Sequence, residues 1–196
     1  MSALDAFWEK GYEATSMADL VKATGMHKGS LYQAFGDKKA LFMAALRAYV
    51  DTMEAQFREL AAQAPSPRAA IEAVMDAMIE TAAGEGSLHR GCLLLKTLTT
   101  TSACDAEVKA LVQGSNQKFF DFMRALVKPA LSAGAPANGN SPDKVPVDER
   151  APIDVDMATG LLLTATSGLV CHVKSMLSPD QARALSRQQI ALVLGG

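Results

Sequence analysis

With 196 residues, 49% of them apolar and 20% charged, the chain is long enough to bury a substantial core and too apolar for global disorder. Its longest charge-free apolar run, residues 157–171, is shorter than the roughly 20 residues of a membrane span and contains Gly160 and Gly168, so no membrane partner is expected. The net charge of −2 gives no support by itself to nucleic-acid binding, and the three cysteines, Cys92, Cys104 and Cys171, stand at unrelated spacings that argue against a disulfide framework.

No basic segment followed by an apolar stretch opens the chain, so the cytoplasm is the expected address. The charge is unevenly spread. Residues 1–50 hold six Lys/Arg against five acids, and the remainder holds 13 against 16. Between residues 27 and 47, Lys28, Lys38, Lys39 and Arg47 are accompanied by a single acid, Asp37, which makes a local positive face.

Period-2 alternation is almost absent, and Ala, Leu, Met, Glu and Lys abound, so the fold class is all-α. A first helix is expected over about 3–10, capped by Ser2 and stopped by Gly11. Ser16, with Asp19 three residues on, starts a second helix that Gly25 closes. A third short helix spans about 28–34, Gly36-Asp37 breaks it, and a longer one follows over about 38–62. Two short helices joined through "ATGM" fit a helix-turn-helix, because Gly25 can take positive φ at the tight turn. Leu31 and Phe35, four apart, share the inner face of the third helix, while Lys28, Tyr32 and Gln33 point elsewhere. Those polar types suit a DNA groove: Lys28 for phosphate or guanine, Gln33 for an adenine edge or phosphate, and Tyr32 for phosphate.

The run "ALDAFWEKGYEATSMADLVKATGMHKGSLYQAFGDKKALFMAAL" resembles the DNA-binding domain of the tetracycline-repressor (TetR) family of transcriptional regulators. The resemblance is close over about residues 3–50; the rest is similar only in helical character and length. It implies a helix-turn-helix head over 1–47 and an effector-binding and dimerisation domain over 48–196, in a homodimer on a palindromic operator. Such a regulator is usually a repressor released by a small molecule. Position by position, it implies that Thr15 and Ser16 contact phosphate at the start of the second helix. It further implies that His27, Lys28, Gly29, Ser30, Tyr32 and Gln33 are recognition-helix contacts, and that Lys38 meets phosphate at the start of the next helix. Family members commonly carry a basic arm and a longer first helix before the position of Ala3, and this sequence starts almost at that point, so either it lacks its natural beginning or DNA contacts from an arm are absent.

Beyond the head, helices are expected over about 66–83, 92–100, 106–131, 153–177 and 179–194, with loops at 84–91 and 132–152. The helix over 157–171 is apolar nearly all round and must be buried on more than one side. In the resembled family the last two helices form the dimer interface. An effector pocket between the C-terminal helices would be lined by candidates such as Met75, Met78, Ile79, Phe119, Phe122, Met123, Leu162 and Thr166. That lining fits a small hydrophobic or weakly polar organic effector.

Cys92 follows His89 and Arg90 near a helix start, and both a helix N-terminus and a nearby cation favour thiolate. It is a candidate redox or electrophile sensor, against the plain alternative of a packed cysteine. No CxxC or HExxH occurs, His89 with Cys92 makes only two ligands, and no metal or cofactor is expected. There is no GxSxG, P-loop or Rossmann fingerprint, so an enzyme is not expected. The alternative reading is a helical small-molecule carrier or interaction module with a vestigial helix-turn-helix.

Overall fold

The computed structural model describes residues 2–84, 92–100, 105–134, 153–173 and 175–195. Among them every regular element is a helix: α1 (Ala3–Lys10), α2 (Met17–Thr24), α3 (Lys28–Phe35), α4 (Lys38–Gln63), α5 (Pro67–Ala83), α6 (Leu93–Thr100), α7 (Ala106–Gly134), α8 (Val155–His172) and α9 (Pro179–Leu194). The chain divides into two compact units, Met1–Arg58 with Thr81–Lys118 and Glu59–Glu80 with Phe119–Gly196.

Local signals set the short helices of the first unit. Ser2 and Ser16 each accept a hydrogen bond from the backbone N–H three residues on, and Asp5 and Asp19 return the bond to the cap. These reciprocal bonds satisfy donors that a helix start otherwise leaves open. Gly25 ends α2 in the left-handed region at φ 69°, where a side chain would be strained.

The core of the first unit gathers Phe7, Trp8, Leu20, Leu31, Phe42, Leu46 and Tyr49 with Leu93 from α6 and Val108 and Val112 from α7. Phe7 and Phe42 meet edge-on at 5.0 Å between ring centroids, and Trp8 and Tyr49 do so at 4.9 Å. Each fully buried side chain of this kind contributes roughly 1.5–3 kcal/mol. The helix-turn-helix is thus packed into the same core as α6 and the start of α7, which lie far along the sequence.

In the second unit α8 and α9 pack together as a helical hairpin. α8 buries Ala158, Thr159, Leu162, Thr166, Leu169 and Val170, and α9 buries Ala182, Ser186, Ile190 and Leu194. Arg183 and Arg187 reach from α9 to Glu80 (2.5 Å) and Asp76 (3.3 Å) on α5. The sequence places the end of α8 near Leu177, but it stops at His172. The His172 carbonyl there accepts from the N–H groups of Ser175, Met176 and Leu177, and Ser178-Pro179 opens the next helix. The turn needs those residues because proline disfavours helix in the residue before it. α7, conversely, runs through Pro129 to Gly134, three residues beyond the expected end. Residues 135–152 of the loop expected over 132–152, most of the loop at 84–91, and Cys104 lie outside the described residues.

No helix among the described residues is long and apolar enough to cross a membrane, and no group of three or more metal-ligating side chains occurs among them.

Candidate nucleic-acid interface

α3 presents the surface that the sequence singles out. Leu31 is its one buried residue at 2% exposure, and Phe35 is half-buried against the same core. His27, Lys28, Gly29, Ser30, Tyr32 and Gln33 are all exposed. On a helix advancing 100° per residue, Gly29, Gln33 and Ser30 stand opposite the Leu31–Phe35 anchor, while Lys28 and Tyr32 form one flank. Lys28 Nζ lies 5.8 Å from the centroid of the Tyr32 ring, within range of a cation–π contact. His27 occupies the cap position, but its side chain caps nothing, so the first-turn N–H groups of α3 receive no side-chain acceptor from it. Such groups suit an anion.

α2 offers the second edge. Ser16 Oγ accepts from Asp19 N at 3.1 Å, and Asp19 Oδ2 accepts from Ser16 N at 2.9 Å. Lys10 Nζ stands 2.5 Å from Asp19 Oδ1. The Lys10 ammonium first, and then the Ser16 hydroxyl and amide, hold the Asp19 carboxyl well below the usual carboxylate range. Thr15 differs from its exposed neighbour. It is 1% exposed, and its hydroxyl is directed inward to the Gly11 carbonyl (2.6 Å) and the Ala6 carbonyl (3.3 Å). Its side chain therefore secures the link between α1 and α2.

The start of α4 is occupied from within. Asp37 Oδ1 accepts from Ala40 N at 2.7 Å. Lys38 turns its amine onto the carbonyls of the α1–α2 link. Lys39 pairs with Asp105 at 2.9 Å and Glu107 at 3.0 Å, and Asp105 also accepts from the N–H groups of Glu107 and Val108 at the start of α7. Lys96 of α6 reaches the end of α1. Sequence reasoning missed these three lysine contacts, whose partners lie 23 to 88 residues away. Met26, just ahead of α3, is 38% exposed.

The eight candidate effector-lining residues all belong to the second unit. Met75, Ile79, Met123, Leu162 and Thr166 are fully buried, whereas Met78, Phe119 and Phe122 are half-buried. Phe119 and Phe122 stack at 6.3 Å. Thr166 Oγ1 is buried with no hydrogen-bond partner. Cys92 is half-buried immediately before α6. Burial first, and then the neighbouring Cys92, push the Tyr49 phenol well above its usual range. His89 and Arg90, expected beside Cys92, lie outside the described residues.

Comparison with known proteins follows this geometry. Residues 2–45 match the model of the bacterial regulatory proteins of the tetR family. Over 107 residues the chain is 34% identical to the transcriptional repressor ComR of Escherichia coli K12, a match covering 54% of this chain and 50% of ComR. The chain thus spans about half the length of that relative. A TetR regulator from Chloroflexus aurantiacus superposes with a TM-score of 0.78 at 20% identity, over 98% of this chain and 90% of that one. A cysteine-substituted form of the TetR regulator CifR, solved with 26-bp operator DNA, gives 0.75 at 23% identity, over 96% and 91%.

Proposed function

Since the chain belongs to the tetR family by its residues 2–45, we propose that it is a dimeric, sequence-specific DNA-binding regulator of transcription, a repressor that a small organic effector releases from a palindromic operator. The observation that carries this is α3: a helix anchored through Leu31 and Phe35, whose other side exposes His27, Lys28, Gly29, Ser30, Tyr32 and Gln33 to whatever lies against it. In this reading those residues enter the major groove and Ser16 holds the backbone at the start of α2, with the Thr15 main chain beside it. Residues 1–47 form the head and 48–196 the sensing and dimerisation part.

Dimerisation is assigned to α8 and α9. Their outer faces expose Met157, Leu161, Leu185 and Leu192. Gly160 and Gly168 share that face of α8, and an added Cβ at either would meet nothing within 4 Å. Glycine within a helix costs up to about 1 kcal/mol relative to alanine. A second copy packing closely there explains two of them together. A dimer also sets two recognition helices one DNA turn apart, about 34 Å, or a multiple of it.

The effector reading rests on the second unit, which holds the apolar candidates and a buried, unpaired hydroxyl at Thr166. An unpaired buried hydroxyl is destabilising, and a ligand with one hydrogen-bonding group on an apolar skeleton would satisfy it. Effector binding favours a dimer with the wrong spacing between heads, and DNA affinity falls accordingly.

The test is selection of duplexes from a random library at two salt concentrations. An enriched palindrome whose binding weakens steeply with salt is expected. Enrichment of nothing at low salt would favour a helical carrier with a vestigial head.

A further inference from the structure

We propose that Lys38 is a positioning residue for the DNA grip, acting through the α1–α2 link, and that it makes no phosphate contact itself. This rests on the DNA-binding reading above, and it departs from the phosphate role that the family resemblance implies for this position.

An ammonium has three N–H donors and accepts nothing. Lys38 Nζ lies 2.9 Å from the Tyr12 carbonyl, 3.1 Å from that of Thr15 and 3.5 Å from that of Glu13. Three donors face three carbonyls. The Tyr12 ring adds a fourth side, its centroid 4.4 Å from the same nitrogen. A phosphate could be met only by withdrawing a donor from this cradle, and the bonds to Tyr12 and Thr15 are part-buried. Carbonyls left unpaired there would oppose the exchange.

The held segment has a position of consequence. Residues 12–15 join α1 to α2 and lead directly into Ser16. Thr15 fastens the link to α1 through its hydroxyl, and Lys38 fastens its carbonyls to α4. Since α4 follows α3 after only Gly36 and Asp37, Lys38 sets the start of α2 relative to the recognition helix. A duplex must meet both at once, and a shift of the link misplaces one contact when the other is made.

The experiment compares the wild-type chain, Lys38→Met, Lys38→Arg and Lys28→Met on a duplex selected by the wild type, at a temperature where circular dichroism shows every variant folded. Dissociation constants are measured across a salt series, with phosphate ethylation interference on the same duplex. Lys38→Met should bind about tenfold more weakly at every salt concentration with an unchanged salt slope, because no phosphate neutralisation is lost. The phosphate whose interference disappears with Ser16→Ala should also disappear with Lys38→Met. Lys38→Arg should not restore binding, since a planar guanidinium does not reproduce the three-carbonyl cradle but would keep a phosphate contact. A salt slope reduced by about 0.9 in Lys38→Met, or full rescue by arginine, would overturn the inference. So would a folded Lys38→Met that binds like the wild type, which is the mark of a role in stability alone. A wild-type chain that enriches no duplex overturns the DNA-binding reading and this inference with it, and the wild-type arm identifies that outcome.

Discussion

Lys96 on α6 sets its ammonium 2.6 Å from the Trp8 carbonyl and 3.0 Å from the Glu9 carbonyl, at the last turn of α1. The last carbonyls of a helix are left open by the helix itself, and its dipole adds partial negative charge there, so a cation is favoured twice over. The bond also fastens α6 to the head. Replacing Lys96 by methionine is expected to lower stability by roughly 1.5–3 kcal/mol, the range for hydrogen bonds to a charged group. Trp8 is the single tryptophan of the chain and is 6% exposed, so its emission in a urea titration reports this region directly. An unshifted midpoint would show that the contact contributes nothing.

Gly29 has no reason within the chain to be glycine. It lacks a positive φ, and an added Cβ would meet nothing within 4 Å. Alanine there should leave the melting temperature unchanged or raise it, since alanine is favoured in a helix by up to about 1 kcal/mol. Operator affinity should fall, because the added methyl stands on the outer face beside Gln33. Fluorescence anisotropy on the selected duplex decides this, and equal affinity would remove Gly29 from the contact surface.

Leu161 is 48% exposed on the outer face of α8. A glutamate at that position would put two like charges near the two-fold interface proposed above, with a desolvation cost on each. Light scattering should find Leu161→Glu monomeric at concentrations where the wild type is a dimer, with unaltered helix content. A dimeric variant would assign dimerisation to another face.

Acid should loosen the first unit. Asp19 is held below its usual range first by Lys10, and Asp105 first by Lys39 and then by the Val108 amide. Both carboxyls have depressed folded-state values, so their contribution is complete above the unfolded value of about 3.9 and is lost as pH falls toward the folded one. Both are exposed to solvent, so each effect is small. Melting temperatures should therefore fall on acidification below about pH 4, and Asp19→Asn and Asp105→Asn should each flatten that dependence. Variants with the acid limb of the wild type would show that the pairs are not kept in solution.

Cys92, just before α6, neighbours Tyr49 of α4. Alkylation of the Cys92 thiol would insert bulk there. In a Cys104→Ser, Cys171→Ser background, which leaves Cys92 as the single thiol, N-ethylmaleimide should weaken operator binding, and adding Cys92→Ser should abolish the response. A response that persists in the triple variant would exclude Cys92 as the sensor.

What the sequence determined by itself is the local part of this molecule. Ser2, Ser16 and Gly25 announce the limits of α1 and α2 because a cap acts over three or four residues. The Leu31–Phe35 spacing separates the inner face of α3 from the outer one for the same reason. Only the tertiary structure decided what the polar residues at the edges of the head do. The resemblance implies phosphate contacts for Thr15 and Lys38, yet the Thr15 side chain is buried and the Lys38 amine faces three carbonyls; Lys96 carries no signal at all and fastens α1. Whether a side chain is available to a partner depends on acceptors brought to it by chain closure, and those acceptors lie many residues away. Helix periodicity records which face is inward, and it holds no record of which distant carbonyl the outward amine will find.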